Sequence, residues 1–139
     1  MLALFNAHSV EYLVVGGYAM AFHGAPRFTG DIDLLIKADN ANAKRVLAAL
    51  NAFGFSSVGL SETDFLSPRN VIQLGVPPIR IDILMSLSGV EWAKAWNNKI
   101  SGDYGGVPVF FISKSDLIEN KKALGRKKDL ADIEALDQS

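Results

Sequence analysis

The chain has 139 residues, 14 Lys and Arg against 15 Asp and Glu, a formal charge of −1 and no cysteine. Its 49% apolar content is globular and is enough for one hydrophobic core, while near-neutral charge argues against a broad nucleic-acid-binding surface without excluding a local basic site. Disulfides and thiolate metal centres are excluded, no apolar run reaches membrane-spanning length, and the N-terminus lacks a basic leader, so a cytoplasmic protein is the expectation.

Leu2 to Ala7 reads as one or two helical turns. "EYLVV", Glu11 to Val15, is rich in β-formers and stops at Gly16-Gly17, which predicts a buried strand. "YAMAFHG" then reads as a short helix ended by Gly24, with Pro26 beyond. "DIDLLIK" alternates, so Ile32, Leu34 and Ile36 face one way and Asp31, Asp33 and Leu35 the other. Asp39 is placed to cap a helix from Asn40 to Ala52, with Val46, Leu47, Leu50 and Phe53 as its inner stripe and Gly54 as its end.

Gly59 to Arg69 is polar and reads as a loop, and "VIQLGV" and "IRIDILM" read as strands separated by Pro77-Pro78. "SGVE", Ser88 to Glu91, has the form of a capping box opening a helix that bears Trp92 and Trp96. "VPVFFI" reads as a strand, and Gly105-Gly106 before it as a hairpin turn. From Ser113 the chain is helical, broken at Gly125. The expected fold class is α/β (α+β): a mixed sheet with helices packed on it and a C-terminal helical pair. The expected organisation is one domain, 1–139, with the sheet and its helices in 1–112 and the helical pair in 113–139.

Three features carry chemistry. A strand that ends in Gly-Gly and enters a helix lets a phosphate approach the backbone closely, although a plain tight turn explains the glycines as well. Asp31 and Asp33 project to one face of their strand, where two carboxylates suit hard cations such as Mg²⁺. A solvated strand face is the alternative, but aspartate is a poor strand residue. Asp82 interrupts an apolar strand between Ile81 and Ile83, and either pairs with Arg80 or adds a third carboxylate to the pair. A strand-borne Asp pair with one Asp on a neighbouring strand is the minimum for two-cation phosphoryl transfer.

The order Gly16-Gly17, helix, Arg27, Asp31-Ile32-Asp33 and then Asp82 on a later strand resembles the nucleotidyltransferase fold of the DNA polymerase β superfamily. More closely, "GGYAMAFHGAPRFTGDIDLLI" is similar to small bacterial nucleotidyltransferase-like proteins related to the AbiEii/AbiGii toxins of abortive-infection and toxin–antitoxin systems. "ENKKALGRKKDLADIEAL", Glu119 to Leu136, resembles that group's C-terminal pattern of a lysine, an arginine, a Lys-Asp pair and a second Asp. The resemblance runs from Val14 to Leu136. It implies an NTP bound through Gly16 and Gly17, with two Mg²⁺ ions, or Mn²⁺ in their place, held by Asp31, Asp33 and Asp82. A nucleoside monophosphate would pass to an acceptor hydroxyl and pyrophosphate would leave. It also implies Arg27, Lys121 and Asp129 as nucleotide-binding residues. RNA, tRNA or a protein is the implied acceptor. A cognate antitoxin or helical partner, or a second subunit, would complete the acceptor site unless the acceptor is small. The sequence departs from the family at Gly17, where many active transferases carry serine. Two other readings stand beside this one: a nucleotide- or partner-binding regulatory module with little turnover, and a small-molecule, antibiotic-type nucleotidyltransferase.

The remaining candidates each have a plainer account. Arg27 is equally a solvated loop residue, and Lys121 belongs to a basic run with Lys122, Arg126, Lys127 and Lys128, although Leu117 and Leu124 share its face. Asp129 also suits capping of the last helix. His23, Tyr18 and Phe22 read as packing residues, and Trp92 with Trp96 as core or a partner patch.

Overall fold

A computed structural model describes residues 1–26, 30–54, 59–76 and 79–138. In chain order these form α1 (Leu2–Ala7), β1 (Tyr12–Val15), α2 (Gly16–Phe22), β2 (Asp31–Ile36), α3 (Asn40–Phe53), β3 (Val71–Val76), β4 (Ile79–Leu84), α4 (Trp92–Asn97), β5 (Ile100–Tyr104), β6 (Val107–Phe111), α5 (Lys114–Leu124) and α6 (Lys127–Asp137). The strands make one mixed sheet in the order β3-β4-β2-β1-β6-β5. β2 is antiparallel to β1 and parallel to β4, and β1 is parallel to β6.

The period-two pattern of β2 survives folding. Ile32, Leu34 and Ile36 are buried on one face, and α1 and α3 cover the side where Ile32 and Ile81 lie; Asp33 faces the opposite side, over which α5 stands. All four residues of β1 are buried, as expected of a central strand. α3 starts where Asp39 accepts a hydrogen bond from the Asn42 N–H at 2.7 Å, and ends at Gly54 with φ +107°, a left-handed position that glycine takes without a Cβ penalty. Asn42 is itself fully buried. Its amide donates to the carbonyls of Glu11 and Lys37 and accepts from the Glu11 N–H, which locks the start of β1 to the end of β2.

Three expectations need correction, and one open alternative is narrowed. Phe53 is 49% exposed, and the buried stripe of α3 is instead Asn42, Ala43, Val46, Ala49 and Leu50. The segment read as a loop contains a 3-10 helix, Glu62–Phe65, whose Phe65 is fully buried. "SGVE" does not make a capping box: α4 begins at Trp92 with Glu91 at its N-cap and no side-chain cap. Ser88 instead lies in a tight turn closed by a Leu87–Val90 bridge, and its carbonyl accepts from the Asn120 amide at 3.0 Å. Finally, Arg80 pairs with Asp31 rather than with Asp82.

Candidate active site

The Gly-Gly turn and the aspartates meet through strand register. Val15, the last residue of β1, lies opposite Asp33, and α2 opens at once with Gly16 at φ +66°. A Cβ on Gly16 would overlap the Asp33 carboxylate. Glycine is therefore required here twice, for backbone conformation and for space. The parallel register of β2 and β4 sets Asp33 beside Asp82 and Asp31 beside Arg80. Neighbouring strands lie roughly 4.8 Å apart, so the carboxylates of Asp33 and Asp82 share one patch of the sheet.

The electrostatics follow from that crowding. Burial, then the charges of Asp82 and Asp31, push the Asp33 carboxyl up to about 6. Asp82 is also raised, chiefly by burial and then by Asp31, while Arg80 and hydrogen bonds from Asp33 and Gln73 pull it back. Both carboxyls are thus harder to ionise than an ordinary aspartate, because each is desolvated beside other carboxylates. The Asp82 Oδ1 atom is buried and has no hydrogen-bond partner. Arg80 Nε stands 3.8 Å from Asp31 Oδ2.

Above this patch lies a cleft of about 260 Å³. Gly16 and Asp33 line one side; Ser86 and Ser88, from the segment after β4, Lys121 of α5 and Arg126 at the α5–α6 junction line the others. Lys121 is buried. Its Nζ lies 3.0 Å from Asp132 Oδ2 and 3.7 Å from Asp129 Oδ1, and its charge acts to lower Asp33. Asp129 is fully buried and is held by Arg126: Nε donates at 2.6 Å, Nη2 at 3.2 Å and the backbone N–H at 3.1 Å. Those bonds hold the Asp129 carboxyl below the usual carboxylate range.

Of the residues singled out in the sequence, the structure brings Gly16, Asp33 and Lys121 to one cleft and sets Asp82 beside Asp33 on the neighbouring strand. Gly17 occupies the first turn of α2, and Asp31 sits at the rim with Arg80. Asp129 lies behind the cleft wall, where it also completes the N-terminal turn of α6. Arg27 lies outside the described residues. Sequence reasoning missed Ser86, Ser88 and Asn120 as neighbours of the site, and it gave Asp132, the second Asp of the tail pattern, no role of its own. The first three depend on how one turn packs against α5, which no local pattern encodes, whereas the Asp129–Asp132 spacing on one helix face was a readable signal.

Among the described residues no three His, Asp or Glu side chains are gathered closely enough to hold a metal ion as they stand. The donor set still fits a hard dication: carboxylate oxygens alone, mutually repelling, with one buried oxygen unpartnered.

A family model described as a nucleotidyltransferase of unknown function (DUF6036) matches residues 2–137. No curated protein matches the chain. Among solved structures, the lincosamide antibiotic adenylyltransferase LnuA in its lincomycin-bound form aligns with a TM-score of 0.58 at 18% identity, over 98% of this chain and 91% of its own. The antibiotic-resistance factor ANT(2'')-Ia aligns with a TM-score of 0.62 at 15% identity, over 99% and 78%. An antigenic nucleotidyltransferase-like protein from Paracoccidioides brasiliensis aligns with a TM-score of 0.54 at 20% identity, over 94% and 69%. At these identities the likeness is one of fold, and it is the nucleotidyltransferase fold.

Proposed function

The chain belongs to the DUF6036 nucleotidyltransferase family, and from that premise we propose that it is a Mg²⁺-dependent enzyme moving a nucleoside monophosphate from an NTP to an acceptor hydroxyl. The observation that carries the proposal is the Asp33–Asp82 pair, set side by side by strand register beneath the Gly16 turn, with Asp82 Oδ1 buried and unpartnered. Asp31, Asp33 and Asp82 would hold Mg²⁺, or Mn²⁺ in its place, and the metal when bound offsets triphosphate charge and acidifies the attacking hydroxyl. The bare backbone at Gly16 and Gly17 admits the triphosphate. Lys121 faces it with a positive charge from the opposite wall, and Asp82, on the strand beside Asp33, would supply the third carboxylate. Asp129 serves nucleotide binding from behind, by fixing the Arg126 guanidinium at the cleft. The reaction then rests on positioning and charge compensation.

We read residues 1–139 as one catalytic unit of the cytoplasm, toxin-like in kind. Among the described residues no helix is long and apolar enough to cross a membrane. The acceptor in this reading is RNA, tRNA or a protein, with an antitoxin or a second subunit completing the site. The exposed Lys127 and Lys128, next to the cleft-lining Arg126, favour an RNA backbone. A small-molecule acceptor is the second reading; the likeness to LnuA, whose structure holds lincomycin, supports it.

The test is incubation of the pure protein with labelled NTPs and Mg²⁺, separately with total RNA, lysate protein and a panel of hydroxylated antibiotics. Label should appear on one acceptor class. Asp82→Asn should retain NTP binding and lose transfer by orders of magnitude. NTP binding without transfer to any class would overturn the transferase in favour of a regulatory nucleotide-binding module.

A further inference from the structure

Lys121 is an ammonium buried to 8% exposure, and such a group is held in place only by what pairs with it. Two carboxylates approach it from α6, and they are not equivalent. Asp129 is committed to Arg126 through three hydrogen bonds, and its oxygen stands 3.7 Å from Lys121 Nζ, beyond hydrogen-bond length. Asp132 Oδ2 stands at 3.0 Å, a charge-assisted hydrogen bond, with its side chain 12% exposed. The two residues belong to different helices, and the contact crosses from α6 to α5.

We infer that Asp132 is a positioning residue: it fixes the Lys121 ammonium on the cleft wall opposite Asp33, while Asp129 shapes the α5–α6 turn through Arg126. The inference rests on the reading of Lys121 as a phosphate contact. A lysine is a point charge on a flexible stem, and its value to a bound triphosphate depends on where the stem is held. Losing the Asp132 bond frees that stem without removing its charge.

Two readouts test this on the intact chain. The first needs no nucleotide: mass-spectrometric amine labelling of the free protein, with exposed Lys127 and Lys128 as internal references. Lys121 should label slowly in the wild type and about tenfold faster in Asp132→Asn, with Asp132→Glu close to wild type. The second is calorimetric binding of a non-hydrolysable NTP analogue with Mg²⁺. Asp132→Asn should weaken binding about tenfold, Asp132→Glu should restore most of it, and in a Lys121→Ala background Asp132→Asn should add nothing. Thermal melts confirm that each variant is folded. Unchanged Lys121 labelling in Asp132→Asn, or weakening that persists undiminished in the Lys121→Ala background, overturns the inference. If Lys121→Ala weakens binding and Asp132→Asn does not, the inference fails and the functional reading stands. If Lys121→Ala binds the analogue as the wild type does, or the wild type binds none, the reading of Lys121 fails and the role assigned to Asp132 falls with it.

Discussion

Asp33 shows how one side chain ties stability to chemistry. Its carboxyl is pushed up to about 6 in the folded protein against 3.8 for an ordinary aspartate, so between those values the native state binds more protons than the unfolded chain. Stability therefore falls as pH rises from about 4 to about 6 and stays lower above that window. Two pKa units are worth about 3 kcal/mol, and partial exposure of the group reduces this to about 1–2 kcal/mol. Asp33→Asn should accordingly gain about 1–2 kcal/mol at pH 7, lose the downward slope of Tm between pH 4 and 6, and abolish nucleotide transfer. Denaturant melts at several pH values check the first two, and label transfer the third. The sequence made the Asp pair visible, because aspartate is out of place on a strand. It could not show that Asp33 and Asp82 would be neighbours, or that Arg80 would turn to Asp31, since both depend on the β2–β4 register.

At the scale of elements, the β1–α2 junction joins fold and site. Gly16 is at φ +66° and a side chain there meets the Asp33 carboxylate, so Gly16→Ala should destabilise by about 1–3 kcal/mol and should also misplace Asp33. Both effects should appear together, as a lower Tm and a weaker Mg²⁺–NTP affinity by calorimetry. A variant with wild-type affinity would separate the turn from the site. The elements that periodicity exposes, β1, β2 and α3, were legible because their apolar spacing matches strand or helix geometry. Others were not. "ISGDY" in β5 has no alternating apolar face, since it lies at the sheet edge. Phe65 is a single aromatic in a polar run, buried by tertiary packing that local composition does not report. Asn42, at the start of α3, reads as a helix-start residue, yet its amide joins two strands.

At the scale of the whole molecule, the sheet order places β2 between the neighbour that precedes it in the chain and one that comes much later. The β1–β2 pair can form locally. The β2–β4 pair has to wait for α3, the 3-10 helix and β3. Its closure also brings Asp33 against Asp82, so the like-charge encounter belongs to the slow, non-local step of folding. The feature that builds the site should then set a rate. Stopped-flow refolding of the wild type should be about threefold slower at pH 8 than at pH 5, with Asp33→Asn insensitive to pH across that range. A pH dependence carried by the unfolding limb instead would mean that β4 docks after the barrier is crossed. In the first case the chain would reach its native sheet fastest in mild acid, where the Asp33 carboxyl is still partly neutral.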